Sequence, residues 1–307
     1  MTRAWRHIRA LWPDWTIVAP LPFAAYGVWL LGHGELRWDY GVVLGLVLLL
    51  FSIGPRTKRA FKGLYPVGLV GLFYSAMKNV ENVGLSTSTV HVCDFRDREA
   101  RWFGITVAGH RETLHDWLQL HAVPLLDCVC AIPYATFVLA CIGCALWLYR
   151  RDYNRMLRFG WTFFALNVAG FVTYHLYPVA PPWYYHAHGC TVDLATRASA
   201  GPNLTRVDAR LGFPLFAAMY GRASDVFGAM PSLHVAYALL IFIEAFDLAG
   251  VWLRVGTAAF YGLMCFSAVY LDHHWVMDIV AGTAYCLIIA GAMRALGHHF
   301  SFFGPSL

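Results

Sequence analysis

The chain has 307 residues, of which 59% are hydrophobic and only 13% are charged, whereas an average soluble protein has about 25% charged residues. This composition, with a mean hydropathy of +0.52, excludes an ordinary soluble domain, a disordered chain and a fibrous protein. The net charge of +5 includes no basic block long enough to bind nucleic acid, so we expect no nucleic-acid partner. The composition predicts a polytopic helical membrane protein.

Hydropathy along the chain predicts eight membrane-spanning helices, each near the roughly 20 residues that cross a bilayer. They cover residues 16–33, 39–54, 62–84, 123–149, 159–177, 229–248, 252–271 and 275–296. The first segment lacks a small-residue cleavage site and is followed by further spans, so we interpret it as a helix rather than a signal peptide. The predicted fold class is all-α, a membrane helical bundle with about eight transmembrane helices.

Basic residues cluster in three segments that this span count places on one side of the membrane. The clusters are Arg3, Arg6 and Arg9; Arg56, Lys58, Arg59 and Lys62; and Arg150, Arg151, Arg155 and Arg158. Because short loops rich in Lys and Arg stay in the cytoplasm, both termini are predicted there and the long loops 85–122 and 178–228 face the other side. A preference for Arg over Lys hints at a bacterium, where that side is the periplasm; in a eukaryote it is the Golgi lumen.

Two of the cysteines, Cys93 and Cys190, lie in these long loops, whereas the others fall in apolar runs and are interpreted as small buried hydrophobes. An oxidising compartment allows Cys93 and Cys190 to form a disulfide. Two unpaired thiols are equally compatible with the sequence.

One segment whose residues suit catalysis is Gly228–His234, which reads GAMPSLH. Proline suits the first position of a helix, so Pro231 predicts that Ser232 and His234 lie in the first helical turn. The free backbone N–H groups and positive dipole end of such a turn suit a phosphate. This segment is a candidate anion site.

The second segment is Tyr270–Asp278, which reads YLDHHWVMD. Four residues separate His274 from Asp278, so on one helix the carboxylate is close enough to hold an imidazole nitrogen. Two predicted spans lie between His234 and His274, and they return both histidines to the outer membrane face. Two histidines, a carboxylate and a helix N-terminus are the parts of a phosphoryl-transfer site.

The motifs Pro231-Ser232-Leu233-His234 and His274-x-x-x-Asp278 resemble the second and third signature motifs of the type 2 phosphatidic acid phosphatase superfamily. The similarity is greatest to one branch, the fungal-type inositol phosphorylceramide synthases, whose motifs the segments 228–234, 270–278 and 180–183 resemble. The resemblance covers about residues 122–296. It implies a six-helix catalytic core at 122–296, preceded by N-terminal helices and an outer loop at 1–121 and followed by a cytoplasmic tail at 297–307.

The chain also departs from the wider superfamily. The first motif, a Lys followed by Arg-Pro, is absent, and residues 177–183 stand in its place; in the third motif Ser267 is followed by Ala268 rather than Arg. A dianionic phosphomonoester needs those cations more than a phosphodiester, which carries one charge. The absence of these cationic residues favours head-group transfer over phosphate hydrolysis.

The resemblance implies a role for each motif residue. His274 is the expected nucleophile, forming a phosphohistidine intermediate; Asp278 orients it, and His234 protonates the leaving diacylglycerol and then acts as base toward the incoming hydroxyl. Ser232 is expected to hold the non-bridging oxygens. The implied donor is a phospholipid, most plausibly phosphatidylinositol, and the implied acceptor is a ceramide-like lipid.

Four further residues are candidates for substrate binding. Arg222 is a candidate for the missing cation, and His175 and Trp183 flank or occupy the Ala-Pro-Pro-Trp segment; on a helix His273 points about 100° from His274 and contacts head groups. Solvated loop side chains and, for Trp183, an interface anchor are the alternatives.

Other functions stay open at this point. The nearest is a lipid phosphate phosphatase acting on phosphatidate or a polyprenyl diphosphate, and the second is a transporter or scaffold with a decayed site. His273, His274, Asp272 and Asp278 are also metal-ligand types, but the chain lacks the several HxxxH pairs of membrane hydroxylases. We therefore expect no metal and no cofactor.

Overall fold

The computed structural model describes residues 18–34, 36, 38–77, 84–221 and 226–297. The helices at the predicted spans are α1 (Leu21–Gly32), α2 (Trp38–Ser52), α3 (Pro55–Met77), α6 (Pro124–Arg151), α7 (Tyr153–Leu176), α11 (Leu233–Ala245), α12 (Val251–Tyr270) and α13 (Val276–Gly297). The remaining elements are α4 (Cys93–Phe103), β1 (Ile105–Val107), β2 (His110–Glu112), α5 (Leu114–Leu120), α8 (Pro182–His188), α9 (Gly201–Leu211) and α10 (Leu215–Tyr220). In these residues, one antiparallel hairpin, β1–β2, is the only sheet.

A helix lies at each predicted span, which confirms the helical membrane fold. Within the described ranges, α6, α7, α12 and the stretch 276–296 of α13 are long and apolar enough to cross a bilayer, and α1 and α11 are shorter apolar helices. The count of eight transmembrane helices stays a prediction.

Several helix boundaries differ from the prediction because local capping fixes them. α3 begins seven residues before the predicted span, where the Thr57 hydroxyl accepts the Gly54 N–H at 3.0 Å. α7 begins at Tyr153 because the Asp152 carboxylate accepts the Arg155 N–H at 3.1 Å. Polar end turns therefore extend helices beyond the apolar run that hydropathy detects.

α11 is the central helix of the core and packs on α6, α7, α12 and α13. Its residues from Val235 to Ile241 are all buried, as expected for a helix that is hydrophobic on every side. A fully buried cluster with Leu148, Leu166 and Leu240 joins it to α6 and α7. α1 to α3 have a separate smaller cluster around Phe23 and Phe61, and they reach the core through α3 packing on α7.

The described parts of loops 85–122 and 178–228, which were predicted to face outward, form a folded layer over the core that we call the outer layer. A disulfide joins Cys93, at the start of α4, to Cys190, just after α8, which answers the question that the sequence left open. The extended residue Val179 lies between His91 and Gly228 in parallel bridges. This layer thus ties the segment before α8 to the segment before α11.

The basic ends of several helices meet at the opposite end of the bundle. The Tyr153 hydroxyl donates to the Arg59 carbonyl at 2.7 Å, which joins the starts of α3 and α7. Fully buried Glu244 of α11 accepts from Arg158 at 2.6 Å and lies 3.6 Å from Arg294. These contacts place basic residues of three helices together; the cluster Arg3, Arg6 and Arg9 lies outside the described residues.

Candidate active site

The segment 228–232 enters α11 as extended chain rather than as a helical turn. The Ala229 N–H donates to the Val179 carbonyl at 3.2 Å, and the Ser232 N–H donates to the Asp278 carbonyl at 3.0 Å. The peptide bond before Pro231 is cis, and α11 begins at Leu233 with Ser232 as its N-cap residue. The prediction that Pro231 occupies the first helical position is therefore wrong, because tertiary backbone contacts keep this segment extended.

A glycine allows α13 to approach that segment. A side-chain carbon on Gly282 would overlap the backbone of Ser232, so only glycine fits there. Gly282 belongs to neither motif, although it follows Asp278 by four residues and therefore lies on the same helix face. Gly282 brings the two motif segments into direct backbone contact.

The second motif forms a tight turn ahead of α13. The N–H groups of His273 and His274 both donate to the Ala268 carbonyl, at 3.2 and 3.0 Å, and Asp272 has a φ of +67°. α13 begins only at Val276. The expectation that His274 shares a helix with Asp278 is therefore wrong: His274 precedes the helix, and Asp278 lies in its first turn.

The hydrogen-bond partner of His274 also differs from the expected carboxylate. Its Nδ1 lies 2.9 Å from the Ala229 carbonyl and 3.7 Å from the Asp278 carboxylate. Asp278 itself accepts the Trp275 N–H at 2.9 Å. A carbonyl can only accept, so Nδ1 of His274 carries a proton, and Nε2 holds a lone pair whenever the ring is neutral.

His234 and His274 are neighbours, although 40 residues separate them. Nδ1 of His234 lies 3.3 Å from Nε2 of His274. Tyr134 stacks on the His234 ring at 4.7 Å, and Phe137 meets it edge-on at 4.8 Å. The half-buried ring thus packs against two aromatic side chains, and its Nδ1 faces Nε2 of His274.

The three motif histidines line one end of a cavity of about 420 Å³, which we call the histidine cavity. Its other walls are mainly apolar and come from α3, α6, α7 and α11; they include Val70, Tyr74, Phe137, Val138, Phe163, Phe171 and Leu233. Within the described residues, no Lys or Arg lines it. The cavity therefore combines imidazoles with walls that suit hydrocarbon.

A second cavity of about 320 Å³ shares Phe137, Val138 and Phe163 with the histidine cavity and extends to Tyr149 and Met156. We call it the apolar groove. Several of its wall residues, Leu64, Val67, Val138, Ile142 and Leu146, are exposed on the surface of the bundle. The apolar groove therefore shares an apolar wall with the histidine cavity.

The predicted substrate-binding residues differ in where they lie relative to the histidine cavity. Trp183 and His273 line the histidine cavity. His175 is not among the lining residues, and its Nδ1 donates to the Phe171 carbonyl at 2.9 Å. The Ser232 hydroxyl is buried with no hydrogen-bond partner among the described residues, and Arg222 lies outside them. Their predicted contacts with substrate stay predictions.

His273 lies in the same turn as His274 but faces the outer layer. Its Nε2 donates to the Ala200 carbonyl at 2.8 Å, and its ring lies 5.0 Å from that of Tyr220. Burial, with a smaller effect of His274, lowers the pKa of His273 to about 4 despite the hydrogen bond to Ala200. His273 is therefore a neutral hydrogen-bonding wall of the cavity at pH 7.

A charged network that the sequence analysis missed holds the outer layer in place. Nδ1 of His186 lies 2.7 Å from Asp272, and its Nε2 lies 3.0 Å from Asp116. Burial disfavours the charged ring, but the hydrogen bonds and charges of the two aspartates outweigh it and raise the pKa of His186 to about 9. Asp272 therefore pairs with His186 in the outer layer.

A second missed residue, Glu99 of α4, caps α13. Its fully buried carboxylate accepts the N–H groups of Val276 at 2.9 Å and Met277 at 3.1 Å. These are orphan donors of the helix start. Burial raises the pKa of Glu99 against those hydrogen bonds. The helix end that carries Asp278 is thus occupied by protein, and no motif spacing could have revealed a partner from so distant a segment.

Comparison with known proteins agrees with this geometry. The profile of the PAP2 superfamily matches residues 106–292. The chain belongs to the PAP2 superfamily. This membership confirms the resemblance drawn from the two motifs.

Three relatives indicate which branch of the superfamily this chain resembles. The chain is 28% identical over 263 residues to the phosphoinositol dihydroceramide synthase of Bacteroides thetaiotaomicron, covering 82% of this chain and 83% of that protein. It is 35% identical over 140 residues to the inositol phosphorylceramide synthase catalytic subunit aur1 of Schizosaccharomyces pombe, covering 43% and 32%. The corresponding Saccharomyces cerevisiae subunit, AUR1, is 28% identical over 188 residues, covering 58% and 45%. No solved structure matches the chain.

Proposed function

We propose that this protein transfers phosphoinositol from phosphatidylinositol to the hydroxyl of a ceramide-like lipid. The observation that carries the proposal is the position of Nε2 of His274, which lies 3.3 Å from Nδ1 of His234 while Nδ1 of His274 is bound to the Ala229 carbonyl. The relatives named as phosphoinositol dihydroceramide or inositol phosphorylceramide synthases support the choice of substrates.

The first half-reaction forms a covalent intermediate. The lone pair of His274 Nε2 attacks phosphorus, and the bond from phosphorus to the glycerol oxygen breaks. That oxygen keeps the electron pair and takes the proton of protonated His234 from Nδ1, so diacylglycerol leaves as a neutral alcohol. Buried Asp278, 3.7 Å from Nδ1 of His274, stabilises the positive charge on the phosphorylated ring.

The second half-reaction reverses these roles. Nδ1 of His234, now unprotonated, removes the proton of the acceptor hydroxyl while that oxygen attacks phosphorus. The bond from phosphorus to Nε2 of His274 breaks, and the electron pair returns to the ring. One proton leaves His234 in the first step and one returns in the second, so the site is restored.

The cavity favours transfer over hydrolysis for two physical reasons. A phosphodiester carries one negative charge, which a protonated His234 can balance, and no described cationic side chain lines the histidine cavity for a second charge. The apolar groove gives a long-chain acceptor a route to the site. A lipid phosphate phosphatase acting on a dianion is the less suitable alternative.

The membrane orientation and domain limits belong to the same proposal. We assign the basic end with Arg59 and Arg158 to the cytoplasm and the histidine end to the opposite face, the periplasm in a bacterium or the Golgi lumen in a eukaryote. The catalytic core is proposed to span about 122–296.

The decisive test uses purified protein in nanodiscs with labelled phosphatidylinositol and ceramide. Mass spectrometry should detect an inositol phosphorylceramide and one diacylglycerol per turnover. A parallel reaction with phosphatidate should release little inorganic phosphate. Release of inositol phosphate or of phosphate without any lipid product would overturn transfer and favour the phosphatase.

A further inference from the structure

Tyr220, the last residue of α10, contacts the side of His234 that faces away from His274. Its hydroxyl oxygen lies 3.4 Å from Nε2 of His234, and the two ring centroids are 6.2 Å apart. Tyr220 also lines the histidine cavity. The second nitrogen of His234 therefore has a hydroxyl partner supplied by the outer layer.

Hydrogen bonds run from the Ala229 carbonyl through His274 and His234 to Tyr220. The Ala229 carbonyl fixes the direction of each of them. The Ala229 carbonyl requires a proton on Nδ1 of His274, so Nε2 of His274 accepts. Nδ1 of neutral His234 must then donate to it across 3.3 Å. Nε2 of His234 is left as an acceptor, and the Tyr220 O–H donates to it.

We propose that Tyr220 is a positioning residue that keeps Nδ1 of His234 as the reacting nitrogen in both of its protonation states. The proposal rests on the proposed phosphoinositol transfer and adds a residue that neither signature motif contains. Its basis is the geometry of the contact between α10 and the start of α11.

A hydroxyl can fill this role because it both donates and accepts. When the anionic phosphodiester binds, Nε2 of His234 takes up one proton from water; the charged ring then donates Nε2–H to the Tyr220 oxygen, and Nδ1 holds the proton for the leaving group. After Nδ1 has given that proton to the glycerol oxygen, Nε2–H still donates to Tyr220, so Nδ1 keeps the lone pair needed by the base. When the acceptor returns a proton to Nδ1, the cycle closes with no proton gained or lost.

The surroundings of Tyr220 keep it neutral. Burial raises the pKa of Tyr220 well above its ordinary value, with a smaller contribution from the Tyr74 phenol. The titratable groups that face His234 from the packed elements are His273, His274, Tyr134 and Tyr220. Because Tyr220 is neutral, it supplies a dipole rather than a charge to His234.

The variant Tyr220→Phe tests the proposal by kinetics. We expect kcat to fall about 10- to 100-fold, the effect of losing one hydrogen bond to a charged group, with KM for phosphatidylinositol changed less than about threefold. The alkaline limb of the kcat profile, where His234 loses its proton, should move to lower pH by about one unit. A merely structural contact would lower the yield of folded protein without moving that limb.

Two tyrosines serve as controls. Tyr285→Phe removes another interhelical hydroxyl contact, 2.8 Å from Thr173, and should leave kcat at the wild-type value. Tyr134→Phe keeps the ring that stacks on His234 and removes a hydroxyl that has no hydrogen-bond partner among the described residues. It should leave the alkaline limb in place. A shift of the limb in Tyr134→Phe equal to that in Tyr220→Phe would overturn the assignment.

A measurement without substrate separates this proposal from the proposed function. Nitrogen-15 NMR of the full protein in detergent, with His234 assigned from a His234→Gln spectrum, reports hydrogen bonding at each ring nitrogen. In Tyr220→Phe the Nε2 resonance should move towards that of an imidazole nitrogen that accepts no hydrogen bond. An unchanged resonance overturns the role of Tyr220, whereas wild-type protein that forms no phosphorylated lipid overturns the transfer reaction alone.

Discussion

The two ends of the histidine cavity lie on neighbouring helices, yet different kinds of contact fix them. At the histidine end, backbone carbonyls and carboxylates hold each group: Ala229 binds His274, and Glu99 caps α13. At the other end the walls from α3, α6 and α7 present mainly apolar side chains, among them Val70, Val138 and Phe163. Directional contacts specify one geometry, whereas apolar surface tolerates shape changes. We therefore expect the histidine end to decide the chemistry and the apolar end to decide which lipid reacts.

The largest effect is expected at the histidine pair. His274→Ala removes the nucleophile and should lower kcat by about 10⁴-fold or more. His234→Ala removes the acid and base and should lower it about 10²- to 10⁴-fold. Turnover of phosphatidylinositol measures both, and unchanged thermal unfolding in detergent shows that the fold is intact. Near-normal turnover by His274→Ala contradicts the mechanism.

A smaller loss is expected where the two motif segments touch. Gly282→Ala places a carbon against the Ser232 backbone and should destabilise the protein by about 1–3 kcal/mol, with a lower kcat as Asp278 moves. Gly291→Ala is the matched control on the same helix, since nothing lies within 4 Å of an added carbon. It should be neutral or stabilising. Equal melting temperatures for the two variants speak against the tight contact.

Substitutions at the apolar end should change which lipid reacts rather than how the chemical step proceeds. Val138 lines both the histidine cavity and the apolar groove, so Val138→Trp should lower kcat/KM for a long-chain ceramide about 10-fold and affect a short-chain ceramide less. Its neighbour Leu139 lines neither cavity and is 66% exposed, so Leu139→Trp is the control. An equal loss with both chain lengths would show that Val138 does not select the tail.

The smallest expected effect concerns pH and the outer layer. Because the pKa of folded His186 is about 9, above the ordinary 6.5, its ion pairs stabilise the fold fully below pH 6.5 and progressively less as pH rises through 9. The loss should be about 1 kcal/mol for such a partly exposed ring. Thermal unfolding from pH 6 to pH 10 measures it.

His186→Gln should flatten that pH dependence. The exposed neighbour His188 offers the control His188→Gln, which should leave the wild-type profile in place. If both variants keep the wild-type decline in thermal stability above pH 8, the ion pairs of His186 with Asp116 and Asp272 are not the source of that decline.

The sequence predicted the parts of the molecule that depend on local hydrophobicity. Apolar runs located the helices, and two intervening spans correctly predicted that His234 and His274 meet, because a bilayer fixes helix length. Local patterns failed at the helix starts before Leu233 and Val276, where the Val179 carbonyl and the Glu99 carboxylate decide the backbone path. Such partners come from distant outer segments, and neither spacing nor periodicity encodes them.

Glu99 has a consequence for how the enzyme can be divided. The predicted core at 122–296 and the matched region 106–292 both omit Glu99, although its carboxylate closes the helix that carries Asp278. A fragment cut at either limit would leave two N–H groups of α13 facing a vacated, desolvated pocket. Truncation, domain grafting or chimaera design should therefore keep α4 with the core, and a relative without α4 needs another acceptor at that helix end.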